Sequence, residues 1–311
     1  MSTTLEPHRP LFVSNCRKDP PFAASLTERI AMATFPITVD ATALSNTAYL
    51  IIGPPTGFNI FPPNSSALGW TANSQAYTVS METGDYLFQI ESGGVNSFHF
   101  QISATGTITY AAEYAAFLSG EGTSELRVLG YKVQLDARYI TGQVFWSGNL
   151  AIDNNNLPIP LETFNLIPLD TYKVSASDEN DWAFGVDNTG KVFYDQSFDY
   201  AQGGFLQGAG TTKLTLLGYP LLIDARNAGE AGVRISSDTG VPFATSGVTY
   251  ANLLPGCIYV LEFEDGVLSS ATFRFSDVGV LTLTHQLPWV LSLDKFHGVP
   301  RLTVNRVTLA H

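Results

Sequence analysis

Along most of this chain apolar and polar residues alternate one by one, as in Phe98-His99-Phe100-Gln101-Ile102 and Trp182-Ala183-Phe184-Gly185-Val186. A period of two sends successive side chains to opposite faces of an extended strand, so each segment predicts a strand with one face buried. Clusters of turn-forming residues punctuate the alternation: Gly53-Pro54-Pro55-Thr56-Gly57, Asp153-Asn154-Asn155-Asn156 and Ser237-Asp238-Thr239-Gly240. Only 111–118, 196–206 and 286–293 have a pattern that would hold a helical turn. Lys213-Leu214-Thr215-Leu216-Leu217 and Tyr219-Pro220-Leu221-Leu222-Ile223 are too densely apolar for a half-exposed strand and predict at least one strand covered on both faces.

The pattern repeats. Gly122-Thr123-Ser124-Glu125-Leu126-Arg127-Val128-Leu129-Gly130-Tyr131-Lys132-Val133-Gln134-Leu135-Asp136-Ala137-Arg138 returns as Gly210-Thr211-Thr212-Lys213-Leu214-Thr215-Leu216-Leu217-Gly218-Tyr219-Pro220-Leu221-Leu222-Ile223-Asp224-Ala225-Arg226. The two Asp residues are 88 positions apart, and Phe35-Pro36-Ile37-Thr38-Val39-Asp40-Ala41-Thr42 reads as the same strand 96 positions before Asp136. A worn copy, Gly298 to Leu309, sets Leu302 and Val304 where Leu126 and Val128 stand. Upstream of each Gly-Thr segment lies a strand, a Gly turn and a second strand: Phe100 before Gly106, Phe184 before Gly190, Phe273 before Gly279. Strands containing Tyr86, Tyr172 and Tyr259 match one step earlier. A fixed period of this kind marks tandem structural units.

The predicted fold is all-β: three tandem antiparallel β-sandwich or small-barrel units of about ninety residues. The boundaries read 1–29 for an N-terminal arm, 30–132, 133–220 and 221–311. Residues 30–36 resemble the strand that closes each unit, and an extra copy there would pair with the far end or complete the first unit. That duplication favours closure about a quasi-threefold axis.

Composition narrows the function. An apolar fraction of 45% with only 14% charged residues describes a folded chain with a Thr-, Ser-, Asn- and Gly-rich surface. A net charge of −12 argues against binding nucleic acid or an anionic membrane face, and no apolar run would insert in a bilayer. The N-terminus lacks the apolar core of a signal peptide, so the expected location is the cytoplasm, or outside the cell without a classical signal. Cys16 and Cys257 make no disulfide framework or metal spacing, and no cofactor is expected.

Asp-Ala-Arg at 136–138 and 224–226 has the look of catalytic machinery. Its recurrence, with Thr42 replacing the Arg in the first copy, instead marks scaffold: an ion pair on an exposed strand face contributing under about 1 kcal/mol. Gly120-Glu121-Gly122-Thr123 and Gly208-Ala209-Gly210-Thr211 are turns, because no helix follows to complete a phosphate site. Function should then sit where one copy departs from its siblings. Asp178 and Asp181 form the weak metal candidate, with oxygen ligands but no calcium-loop spacing. His285, Asp294 and His297, with Trp289 among them, are the candidates for acid–base catalysis. Trp70, Trp146, Tyr250 and Trp289 are the candidates for stacking on a ligand ring.

Three functions compete. The first is a non-catalytic ligand-binding protein, lectin-like, taking a small molecule or glycan. The second is an enzyme with one active site in the third unit or at a unit interface. The third is a structural or assembly protein, for which a homo-oligomer would be the natural partner.

Overall fold

Each time the Asp-ending strand occurs, it lies inside a four-stranded sheet with a neighbour on either side. Thr34–Asp40 sits between Tyr77–Glu82 and Glu125–Val128, and Leu118–Ser119 completes that sheet. Tyr131–Asp136 sits between Leu161–Leu166 and Lys213–Leu216, with Leu206–Gln207 outermost. Tyr219–Asn227 sits between Val248–Leu253 and Val299–Asn305, with Leu291–Phe296 outermost. This central position explains the dense apolar run, since Leu221, Leu222 and Ile223 are all buried. The computed structural model describes residues 33–45, 49–53, 70–71, 76–91, 95–142, 144–147, 160–168, 171–177, 180–229, 232–237, 240–263, 270–283 and 291–305. Residues 1–29, the expected arm, lie outside them.

The three sheets are not wholly antiparallel, which corrects the expectation. In each the Asp strand pairs antiparallel on one side and parallel on the other: Val39 with Leu126, Leu135 with Leu214, Ile223 with Leu302. A parallel pair needs a long crossover. Here the crossover holds most of a second sheet. These sheets are antiparallel throughout, running Trp70–Thr71, Tyr49–Gly53, Gly84–Glu91, Val95–Ile102 and Ile108–Tyr110 in the first. The second runs Phe145–Ser147, Thr171–Ser177, Asn180–Val186 and Val192–Tyr194. The third runs Gly240–Thr245, Val233–Ser237, Tyr259–Phe263, Ser270–Phe275 and Leu281–Leu283. Among the described residues there are six sheets and none closes on itself.

Alternation drives the packing. Phe98, Phe100 and Ile102 are buried while His99 and Gln101 between them are exposed, and Trp182, Phe184 and Val186 are buried in the same way. One apolar cluster runs from Ile37 to Ile167 and a larger one from Val133 to Val304, and Tyr131 packs against both. Two devices recur, one polar and one steric. The buried Tyr172 hydroxyl accepts from the Ile167 N–H and donates to its carbonyl, and Tyr259 does the same at Leu254. Gly190, at φ +79°, lies under the Tyr131 ring so closely that a Cβ would sit 2.5 Å from it. Gly106 under Phe35 and Gly279 under Tyr219 repeat the contact.

Short 3-10 turns occur at Ala112–Ala116, Gln196–Phe198 and Tyr200–Gln202, within the first two expected stretches. In the third, 286–290 lie outside the described residues and 291–293 are strand, because they pair with 302–304 at the sheet edge. Residues 34–36 form the first half of the Thr34–Asp40 strand rather than a separate closing strand, since they continue its pairing with Tyr77–Glu82; residues 30–32 lie outside the described residues. No helix among the described residues is long and apolar enough to cross a membrane.

Candidate functional site

Asp136 is fully buried, which corrects the exposed-face reading, because the next strand in the sheet and the loop beyond the Asp cover it. Arg138 donates Nε to Oδ1 at 2.9 Å and Nη2 to Oδ2 at 2.8 Å. Lys213, from the parallel strand, reaches Oδ2 at 2.7 Å. The Arg138 guanidinium first, and Lys213 after it, hold the carboxyl well below the usual carboxylate range against the opposing effect of burial. Asp224 is buried too and takes the same fork from Arg226, with its carboxyl also lowered. Asp40 accepts instead from the Thr42 hydroxyl at 2.6 Å and the Thr42 N–H at 3.0 Å, chiefly through the hydroxyl lowering its carboxyl. All three carboxylates are ionised and held by groups two residues on. A general acid or base near neutrality needs the opposite shift.

Of the candidate acid–base residues, Asp294 and His297 belong to one hairpin. Asp294 is bound by Arg301 directly across the hairpin, with Nε at 2.7 Å and Nη2 on the other oxygen, and Arg301 holds its carboxyl down. Arg301 also lies over the Phe296 ring, 5.5 Å from its centroid. His297 occupies the two-residue turn of that hairpin with Gly298, at φ +51° and +86°. Two left-handed residues are what a type I′ turn demands. His285 lies outside the described residues.

The weak metal candidates fare similarly. Asp181 is paired with Lys173 at 3.1 Å on an exposed face, and Asp178 lies outside the described residues. Among the described residues no three His, Cys, Asp or Glu side chains gather as a metal centre would require. The Cys257 thiol is buried.

Among the stacking candidates, Tyr250 is 61% exposed on the outermost strand Val248–Leu253. Trp70 and Trp146 fall on the strands Trp70–Thr71 and Phe145–Ser147, and Trp289 lies outside the described residues. Two positions from Tyr250, and so on the same face of the strand, Asn252 donates its side-chain Nδ2 to the Tyr139 carbonyl. Tyr139 is itself 52% exposed. The Asn252 backbone is gripped as well: its N–H donates to the Thr141 hydroxyl and its carbonyl accepts from the Thr141 N–H at 2.8 Å. At this crossing of the loop after Asp136 and the Val248–Leu253 strand, each segment carries one exposed tyrosine, Tyr139 on the loop and Tyr250 on the strand.

Asn165 makes the same three bonds to Ala43 and Ser45, but there Thr163 stands where Tyr250 does and Ala43 where Tyr139 does. The aromatic pair belongs to one crossing only. Sequence reasoning found Tyr250 and missed Tyr139, Asn165 and Asn252. The available signal was the alignment of Asn165 with Asn252 once the repeat was in register. Neither the protein-family models nor the curated proteins contain a match to this chain.

Proposed function

We propose that the chain is a non-catalytic ligand-binding protein built as three tandem β-units, and that it takes an uncharged glycan at the second crossing between units. The observation that carries the reading is the pair Tyr139 and Tyr250, both more than half exposed, the first lending its backbone carbonyl to the Asn252 amide and the second two positions from Asn252 on the same strand. Exposed aromatic residues suit the C–H faces of sugar rings, while the Thr-, Ser- and Asn-rich composition of the chain supplies hydroxyl and amide partners. The three-unit reading is supported by three sheets of one strand order, each with one parallel pair, and by the recurring Tyr–carbonyl and Gly–aromatic contacts. Catalysis is disfavoured because Asp294 is committed to Arg301 and His297 to a turn.

A glycan array with the full chain tests this. Binding that Tyr250→Ala and Tyr139→Ala each weaken at least tenfold, with unchanged thermal melting, is the expected result. An array with no binding, or binding indifferent to both substitutions, overturns the reading.

A further inference from the structure

The Asn165 and Asn252 crossings are two copies of one directional clasp. The inserting half is the loop after the Asp strand, which accepts two of the three hydrogen bonds and donates one. In each loop a residue N–H closes on the Ala carbonyl three positions back: Leu44 on Ala41, Ile140 on Ala137 and Ala228 on Ala225. The receiving half is the Asn, together with a glycine seat just before the following Asp strand. Gly130 lies 3.0 Å from the Leu44 Cδ2 measured from where a Cβ would be, and Gly218 lies equally close to the Ile140 Cδ1. Leu44 and Ile140 therefore dock where only hydrogen is tolerated.

Neither outermost half keeps these features. In the last loop the docking apolar residue is Ala228 and the hydroxyl residue is Gly229, whose φ of +97° is one that a Ser or Thr there would resist. Asn227, the last residue of the strand before that loop, is bonded within its own sheet, its Nδ2 donating to the Asn305 Oδ1 at 3.1 Å. At the other end Thr34 stands in the glycine seat and Ser80 in the Asn position, and both are exposed.

We propose that the clasp is a directional unit-to-unit interface whose two terminal halves have been dismantled, so that the chain is a terminated array of three units that neither closes on itself nor extends onto a second copy. This rests on the three-unit reading but not on the choice of ligand. It replaces the quasi-threefold closure that the sequence favoured. Exposed sheet ends invite uncontrolled association, and removing complementarity at both is a means of preventing it.

Cysteine pairs in a Cys16→Ser background, treated with a short bifunctional maleimide, test the proposal on the full chain. Ser45→Cys with Asn165→Cys, and Thr141→Cys with Asn252→Cys, should cross-link within the chain to near completion. Ser80→Cys with Gly229→Cys should not link, within or between chains. Ser80→Cys with Asn227→Cys repeats the end test without placing a side chain at the positive φ of Gly229. Linkage of either end pair overturns termination, whereas failure of both inner pairs overturns the clasp and the three-unit reading beneath it. The Ser45/Asn165 pair and both end pairs lie away from Tyr139 and Tyr250, so their outcomes leave the glycan reading untouched, whereas the Thr141/Asn252 pair falls within the proposed ligand site and is read for cross-linking alone.

Discussion

Replacing Asp136 by Asn keeps the side chain's shape and removes the charge on which Arg138 and Lys213 converge. Each hydrogen bond to a charged group contributes roughly 1.5–3 kcal/mol, and breaking a buried ion pair costs about 3–5 kcal/mol. Here the cations are 53% and 39% exposed and regain water when released, which lowers the loss. An Asn oxygen also still accepts one bond. Asp136→Asn should therefore destabilise by about 2 kcal/mol. Asp40→Asn, which disturbs only the bonds from Thr42, should cost about 1 kcal/mol or less.

Urea unfolding at neutral pH, read with equal slopes for all variants, measures both. The folded-state carboxyl of Asp136 titrates below its ordinary value of 3.8. Its contribution is therefore complete above that value and is lost as the pH falls toward the folded-state pKa. The gap between wild type and Asp136→Asn should stay constant from about pH 7 to 5 and narrow below about pH 4. A gap under about 0.5 kcal/mol at neutral pH, or one equal to that of Asp40→Asn, would refute the buried-anchor reasoning.

Gly190→Ala should destabilise by about 2 kcal/mol or more, since it adds left-handed strain to a contact with the Tyr131 ring, and thermal melting will show it. Tyr172→Phe leaves the buried Ile167 N–H and carbonyl without the hydroxyl and should cost about 1–3 kcal/mol by urea unfolding. His297→Gly should raise the melting temperature slightly by relieving the positive φ and leave ligand binding unchanged; a loss of binding would return His297 to the site.

The strand pattern was legible because alternation and inward-facing aromatics survive in every copy: Phe100, Phe184 and Phe273 are all buried. Two things were not. Strand periodicity carries no direction, so the parallel partner of each Asp strand, and with it Lys213 over Asp136, came only from the tertiary arrangement. Asn165 and Asn252 act through backbone groups of Ala43 and Tyr139, whose residue types leave no imprint on sequence. For the site, Tyr250 was readable as an exposed aromatic in a polar strand, while Tyr139 was tied to that strand only through the clasp. Of His285, Asp294 and His297, a hairpin spends Asp294 on its cross-strand Arg301 and His297 on its turn, and His285 lies outside the described residues.

The central claim is that Asp40, Asp136, Asp224 and Asp294 serve the scaffold of this chain, and carboxyl-carbon NMR titration of the full protein tests it most directly. Asp40, Asp136, Asp224 and Asp294 should all titrate below 3.8, with Asp136 still ionised at the acid limit of the folded state. Any one of them remaining protonated toward neutrality would contradict the account and restore that residue as an acid–base catalyst.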